Sequence, residues 1–388
     1  MSDDRRRRIL IVEDSAVMRS LLRTVISSDP HLEVAGTAAD GASALTFLSG
    51  ERPDLILLDV EMPVMDGLAT LRQMRSRGIR VPVIMCSSLT RRGARVTIDA
   101  LASGASDYVA KPTGQAGREA SIRALAQELV PKVLALTASV QTRMPLAGAS
   151  AGFMPFPVGL QAPVQSVQRM VARAATPAVL VIGVSTGGPA ALEVLLPALP
   201  ANFPLPVLIV QHMPELFTRL MAERLNGRCA LGVHEAQEGE PVSRGKIAIA
   251  RGNWHLELRS PATAAGAPTM HLHQGPLENH CRPAVDVLFR SAATTFGSGV
   301  LAVVLTGMGY DGLIGSRLIR QQGGCVLAQD QATSTVWGMP GAVAGAGLAD
   351  KIVALDGMAA EIVKLAGRGS TSSAGSSAPT NLLTKQAV

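Results

Sequence analysis

The segment Ala178-Val-Leu-Val-Ile-Gly-Val184 carries no polar side chain. An uninterrupted apolar run of this length, without alternation, reads as a parallel strand covered on both faces. It commits the chain to an α/β layering, with helices on either side of a sheet. Pro189 and a helical apolar pattern follow, so Gly183-Val-Ser185-Thr-Gly187 falls at a strand-to-helix turn. G-x-S-x-G in that setting is the pattern of a nucleophile elbow, which lifts a serine hydroxyl to the carboxyl edge of the sheet. A glycine-rich turn at this position can equally cradle a phosphate.

Two further strands favour the first reading. Pro206-Val-Leu-Ile-Val210 leads into Gln211-His212, and Val300-Leu-Ala-Val-Val-Leu305 leads into Thr306-Gly-Met-Gly-Tyr-Asp311-Gly. Sites in open α/β sheets form at the carboxyl ends of strands. Ser185, His212 and Asp311 stand at three such ends, as nucleophile, base and orienting acid. Their order differs from the Ser–Asp–His order of α/β-hydrolases, so the triad is expected on another doubly wound sheet.

The first ~125 residues read as five β-α units, again a doubly wound parallel sheet. The strands are 8–12, 32–35, 55–58, 83–85 and 108–110. Asp14-Ser15 caps a helix whose apolar face is Val17, Leu21, Leu22, Val25 and Ile26. From about Thr137 to Thr176 acidic residues vanish and Pro145, Pro155, Pro157 and Pro163 break any long helix, so this is linker, with 167–174 a candidate short docking helix. The expected organisation is a first domain at 1–126, a linker at 127–176, a second domain at 177–366 and a low-complexity tail at 367–388, expected to be disordered.

Composition limits the function. Aromatic residues are 3% of the chain and the basic residues are dispersed, so the net charge of +6 suits an acidic protein partner better than nucleic acid. No apolar run approaches the ~20 residues that span a bilayer, and Arg5–Arg8 lacks the apolar segment of a signal peptide, so a cytoplasmic protein without membrane insertion is expected. Cys86, Cys229, Cys281 and Cys325 form no C-x-x-C pair, as reduced thiols do not need to.

The N-terminal sheet gathers a second constellation. Glu13 and Asp14 end its first strand and Asp59 its third, and crowded carboxylates favour a hard cation such as Mg²⁺. Ser87 adds a hydroxyl, and Lys111 an ammonium before Pro112, whose X-Pro bond is a candidate for cis. Together they suit capture of a phosphoryl group by a carboxylate. In Ile-Val-Glu13-Asp14-Ser, Leu-Leu-Asp59-Val-Glu61-Met-Pro, Cys-Ser87-Ser and Asp-Tyr108-Val-Ala-Lys111-Pro112 the chain resembles a response-regulator receiver domain, of flavodoxin-like fold. The resemblance implies that Asp59 accepts the phosphoryl group, that Glu13, Asp14 and Asp59 hold Mg²⁺ with a backbone contribution from Glu61, that Ser87 and Lys111 contact the phosphoryl group, and that Tyr108 is the switch aromatic.

The whole arrangement, with Gly-Val-Ser185-Thr-Gly-Gly, Val-Gln-His212-Met-Pro, Arg282-Pro-Ala-Val-Asp286-Val-Leu-Phe and Leu-Thr-Gly-Met308-Gly-Tyr-Asp311-Gly, is similar to the chemotaxis response-regulator protein-glutamate methylesterase/glutamine deamidase family. That similarity implies a Rossmann-like three-layer catalytic domain and hydrolysis of glutamate methyl esters and glutamines on methyl-accepting chemotaxis receptors. It further implies an oxyanion hole at the Thr186 and Met308 N–H groups, no cofactor for hydrolysis, and a chemotaxis histidine kinase as phosphodonor. It also implies a receiver that covers the active-site face until phosphorylated.

Rival readings weigh less. A nucleotide-binding oxidoreductase would need the full G-x-G-x-x-G and an acidic residue about 20 positions on, where His212 stands instead. A DNA-binding regulator would need a helix-turn-helix, and none follows residue 125. His234, His255, His271, His273 and His280 lie in a section that reads as hairpins. His271 and His273 share a strand face, but the pattern supplies no carboxylate or second thiol to complete a metal site. Cys281 and Cys325 have no evident partner base. Asp286 competes for the acid role, although its context reads as a helix start, where capping or substrate positioning suits it.

Overall fold

The computed structural model describes residues 5–88, 90–112, 117–141, 176–260 and 266–367. The tail and most of the expected linker, including 167–174, lie outside them. No helix among the described residues is long and apolar enough to cross a membrane.

The first domain has strands β1 (Arg7–Val12), β2 (Leu32–Ala38), β3 (Leu55–Asp59), β4 (Val83–Ser87) and β5 (Asp107–Ala110), alternating with helices α1 (Ala16–Ser27), α2 (Gly41–Gly50), α3 (Gly67–Ser76), α4 (Arg91–Ala102) and α5 (Arg118–Gln141). The strands pair in parallel in the order β2-β1-β3-β4-β5, the flavodoxin-like arrangement. Ser15 caps α1 through its hydroxyl, accepting from the Met18 N–H at 3.4 Å. Leu21, Leu22, Val25 and Ile26 of that helix are buried as expected, but Val17 faces solvent at 73% exposure. The boundary expected at residue 126 falls inside α5, whose Leu129, Val133 and Leu136 pack into the receiver core. Amphipathic spacing continues past the last sequence motif, and the helix continues with it.

The second domain is built from β6 (Val179–Val184), α6 (Gly188–Leu195), β7 (Val207–Gln211), α7 (Glu215–Asn226), β8 (Gly232–Glu235), β9 (Lys246–Ile249), β10 (His255–Arg259), β11 (Thr269–His273), α8 (Val285–Phe296), β12 (Val300–Val304), α9 (Leu313–Gln321), β13 (Cys325–Gln329), α10 (Met339–Gly345), β14 (Lys351–Val353) and α11 (Leu355–Ala366). Seven strands form one parallel sheet in the order β14-β13-β12-β6-β7-β9-β8. The expectation of hairpins in the middle section holds only for β10 and β11, which pair antiparallel. β8 and β9 instead extend the main sheet in parallel.

β6 lies at the centre, wholly buried, with β12 on one side and β7 on the other. The chain moves outward from β6 in both directions, so the strand order reverses here. This switch point is where ligands bind in open α/β sheets. One buried cluster runs from the first domain into the second, joining Ile98, Leu101 and Tyr108 to Leu192, Phe217 and Met221.

Candidate active site

Ser185, His212 and the 306–312 loop come together because their strands are neighbours. Beyond the strand ends, the Ser185 N–H donates to Thr306 O at 3.0 Å and the His212 N–H to Val184 O at 3.2 Å. Gly187 caps α6 at φ 78°, a left-handed conformation that glycine adopts without the cost of a Cβ. The turn leaves Ser185 half-buried, in a cavity of 820 Å³ that it shares with Thr186, His212, Met308 and Asp311.

His212 Nε2 lies 2.8 Å from Asp311 Oδ2. Since the carboxylate can only accept, Nε2 carries the proton and Nδ1 is the nitrogen left for a serine. In this structure Nδ1 lies 3.6 Å from Cys281 Sγ, and Ser185 Oγ takes part in no hydrogen bond among the described residues. Cys281 therefore does have a base beside it, contrary to expectation. The 278–281 segment reaches both His212 and Asp311 from far along the chain. Burial pulls the imidazole pKa down, but the bonds to Asp311 and Cys281 outweigh it and raise the value.

Asp311 is held by four further hydrogen bonds. Oδ2 also accepts from the Val285 N–H at 2.6 Å, and Oδ1 from the Asp286 and Gly312 N–H groups at 3.0 Å and from Asn279 Nδ2 at 2.8 Å. Two of these donors are first-turn amides of α8, where the helix dipole favours a negative charge. Burial disfavours the charged carboxylate, yet His212 and these donors hold it below the usual range. Asp286, the rival acid, forms no hydrogen bond or ion pair with His212. Nor does it cap its own helix: its Oδ1 accepts from Gly315 N–H at 2.7 Å and its Oδ2 from Asn279 at 3.0 Å. Burial, with the Asp311 charge adding, pushes its pKa up to about 6.

Thr186 and Met308 line the same cavity, and neither backbone N–H donates a hydrogen bond among the described residues. The Thr186 hydroxyl does have a partner, and it belongs to the first domain: Oγ1 donates to Asp107 Oδ2 at 2.6 Å. Asp107, Tyr108 and Lys132 of the first domain also line this cavity. Tyr108 stacks on Phe217 of α7 with ring centroids 4.4 Å apart, and Arg224 of α7 pairs with Asp99 of α4. Asp107 and Thr186 each lie within a motif of their own domain, but nothing in either motif shows that the two side chains meet.

In the first domain, Glu13, Asp14 and Asp59 each offer an oxygen within 4.8 Å of the others. Lys111 Nζ lies 2.7 Å from Asp59 Oδ1 and 2.8 Å from Glu13 Oε2. Burial pushes the Glu13 carboxyl up to about 7, with Lys111 opposing and Asp59 adding to the rise. Three carboxylates with a single ammonium fit a further hard cation, and the donor set is all oxygen. The Glu61 carboxylate turns to Arg92 at 3.3 Å, which leaves only its backbone near Asp59. Ser87 is fully buried at the end of β4, and its hydroxyl donates to Ser88 O at 3.1 Å. The Lys111–Pro112 bond is not cis; among the described residues only Arg282–Pro283 is.

The histidine-rich hairpin does have carboxylates beside it, contrary to the sequence reading. His271 Nδ1 lies 3.0 Å from Glu238, and His273 Nε2 lies 3.6 Å from Glu257. Among the described residues these do not converge as metal ligands do; only Glu13, Asp14 and Asp59 form such a group.

Residues 180–362 match the CheB methylesterase family and residues 9–123 the response regulator receiver domain. A protein-glutamate methylesterase/protein-glutamine glutaminase of a Nocardioides species is 49% identical over 365 residues, 92% of this chain and 94% of the relative. Its counterpart in Trichodesmium erythraeum is 44% identical over 360 residues, 93% of this chain and 99% of that protein. The solved catalytic domain of Thermotoga maritima CheB methylesterase is 40% identical, spans 49% of this chain and 98% of its own, and superposes with a TM-score of 0.47. With identity sustained through both domains, the chain belongs to the protein-glutamate methylesterase/protein-glutamine glutaminase family and is a chemotaxis hydrolase with an N-terminal receiver.

Proposed function

We propose that Ser185, His212 and Asp311 hydrolyse glutamate methyl esters, and deamidate glutamines, on methyl-accepting chemotaxis receptors in the cytoplasm. The observation that carries this reading is the meeting of three distant strand ends in one cavity, with the imidazole already bound to Asp311 at 2.8 Å. Ser185 Oγ attacks the side-chain carbonyl while His212 Nδ1 accepts its proton. This requires Nδ1 to turn its hydrogen bonding from Cys281 to the serine. The tetrahedral oxyanion is met by the Thr186 and Met308 N–H groups, each such donor being worth about 10²–10³ in rate. The imidazolium then protonates the leaving methanol or ammonia, and Asp311 stabilises it meanwhile. Water, activated by the same nitrogen, cleaves the acyl-enzyme and leaves a glutamate.

Asp59 is the phospho-acceptor in this reading, with a chemotaxis histidine kinase as donor. Glu13, Asp14 and Asp59, with the Glu61 backbone, would hold Mg²⁺, which when bound neutralises charge on the incoming phosphoryl oxygens. Lys111 supplies a second positive charge there, and the Ser87 hydroxyl lies at the neighbouring strand end. The Asp107 carboxylate against the Thr186 hydroxyl supports a receiver that obstructs the active site until phosphorylation loosens the contact. A switch of this kind needs a contact that differs between two states, and Tyr108 is positioned to transmit it from the strand beside Ser87.

Ester hydrolysis in wild type and Asp59→Asn, with and without acetyl phosphate, tests the gating, and equal rates in all four conditions would reject it. Mass spectrometry of methylated receptor fragments after incubation with wild type and Ser185→Ala tests the chemistry. Ester loss that persists in the Ser185→Ala sample would remove the serine from the mechanism.

A further inference from the structure

Glu278 to Cys281 form a tight two-residue turn. The Glu278 N–H donates to Cys281 O at 3.1 Å, and the Cys281 N–H to Glu278 O at 2.8 Å. The two central residues, Asn279 and His280, both have positive φ, 51° and 63°. That combination defines a type I′ turn, in which asparagine is favoured because it tolerates the left-handed region. The turn is anchored from outside by Arg290 of α8, whose Nη2 lies 2.7 Å from Glu278 Oε2. Two of its residues reach the two partners of the acid–base pair: Asn279 touches Asp311, and Cys281 lies against His212.

Asn279 Nδ2 donates to both Asp311 Oδ1, at 2.8 Å, and Asp286 Oδ2, at 3.0 Å. Asp286 is fully buried and Asp311 is 3% exposed. Two carboxylates so close and so dry repel one another unless donors lie between them. One amide with two N–H groups does this for both at once.

From this geometry we infer that Asn279 is a positioning residue for hydrolysis. Its amide separates Asp286 from Asp311 and fixes the Asp311 carboxylate with Oδ2 towards His212. The inference rests on the triad reading above and deepens it. Asp286 then has a role too, as the anchor on the far side of the amide, itself tied to α9 through Gly315 N–H. The titratable groups around this pair are His212, with Cys281 beyond it, and the Glu278–Arg290 ion pair beyond Asp286.

The test is steady-state methanol release from a glutamate γ-methyl ester peptide by the full chain with acetyl phosphate. Asn279→Gly removes the amide while keeping a residue that accepts positive φ, so the turn survives. Losing a hydrogen bond to a charged group predicts a fall in kcat of about 10- to 100-fold, with KM unchanged. Without the amide Asp311 is less stabilised as an anion, so the acid limb of the kcat profile moves to higher pH. Asn279→Asp keeps the shape but places a third carboxylate at the pair, and loses more activity than the glycine variant with a larger upward shift. His280→Gly alters the same turn at a residue that lines the cavity but bonds to neither carboxylate, so its acid limb stays at the wild-type pH whatever its rate. An Asn279→Gly enzyme with wild-type kcat and an unshifted limb would overturn the inference, as would equal limb shifts for Asn279→Gly and His280→Gly. Wild-type activity that survives Ser185→Ala would instead defeat the triad reading itself, so the two failures are distinguishable.

Discussion

Truncating Asp107 to alanine should release the catalytic domain from its receiver. Three contacts between the domains can be ranked. The Arg224–Asp99 pair is partly open, with side chains 28% and 38% exposed, and such pairs contribute about 0–1 kcal/mol. The Tyr108–Phe217 stack adds about 0.5–1.5 kcal/mol beyond its buried area. The Thr186 hydroxyl donates to a charged carboxylate in a buried setting, worth about 1.5–3 kcal/mol. Asp107 is therefore the most informative single position. Its loss does not strand a buried cation, because Lys132 keeps Tyr108 O at 2.6 Å and Glu128 at 3.2 Å. A change of about 1.5–3 kcal/mol multiplies the ratio of open to covered enzyme by about 10–150. Where the covered form dominates, methanol release by Asp107→Ala without a phosphodonor rises by that factor, up to the rate of the fully open enzyme. The response to acetyl phosphate shrinks correspondingly. Arg224→Ala, measured alongside, should change the basal rate by less than about fivefold. A basal rate in Asp107→Ala equal to wild type, with full activation by acetyl phosphate retained, would show that this contact does not hold the covered form.

Three other outcomes follow from the same geometry. Asp311→Asn removes the charge that raises the His212 pKa while burial still lowers it, so the acid limb moves to lower pH as kcat falls by about 10⁴-fold; pH-rate profiles of both enzymes check the sign. EDTA abolishes the effect of acetyl phosphate but leaves basal ester hydrolysis intact, because the Glu13–Asp14–Asp59 group belongs to the receiver alone. A Cβ added to Gly183 would lie 2.3 Å from Val285 Cγ1, so Gly183→Ala forces β6 and α8 apart; overpacking of about 1–3 kcal/mol predicts a lower Tm, read by calorimetry.

Much of the fold was legible because parallel strands buried on both faces leave apolar runs that no other element explains as well. β6, β7 and β12 were each readable from such a run, and the residues just beyond them were therefore placed at one sheet edge. β8 and β9 were misread as a hairpin because they are only four residues long, too short to carry a pattern that separates parallel from antiparallel pairing. α5 runs past the expected boundary at residue 126 to Gln141 on helical spacing alone, because the receiver motifs stop at Lys111 and mark no helix end. Val17 was assigned to the buried face of α1 because spacing gives the direction of a stripe but not its width.

Strand, glycine turn and helix are local patterns, so the chain's own order was enough to assign Ser185, His212, Asp311, Asp59 and Lys111 to positions at or just past strand ends. What those side chains touch followed only from how the elements pack. Asn279 reaches Asp311 through a turn whose sequence offers nothing but an asparagine, and Cys281 meets His212 across 69 residues of chain. Asp107 meets Thr186 across 79 residues, from another domain. Such partners depend on how elements pack at a distance, and hydrogen-bond complementarity across that distance leaves no periodic trace in the chain.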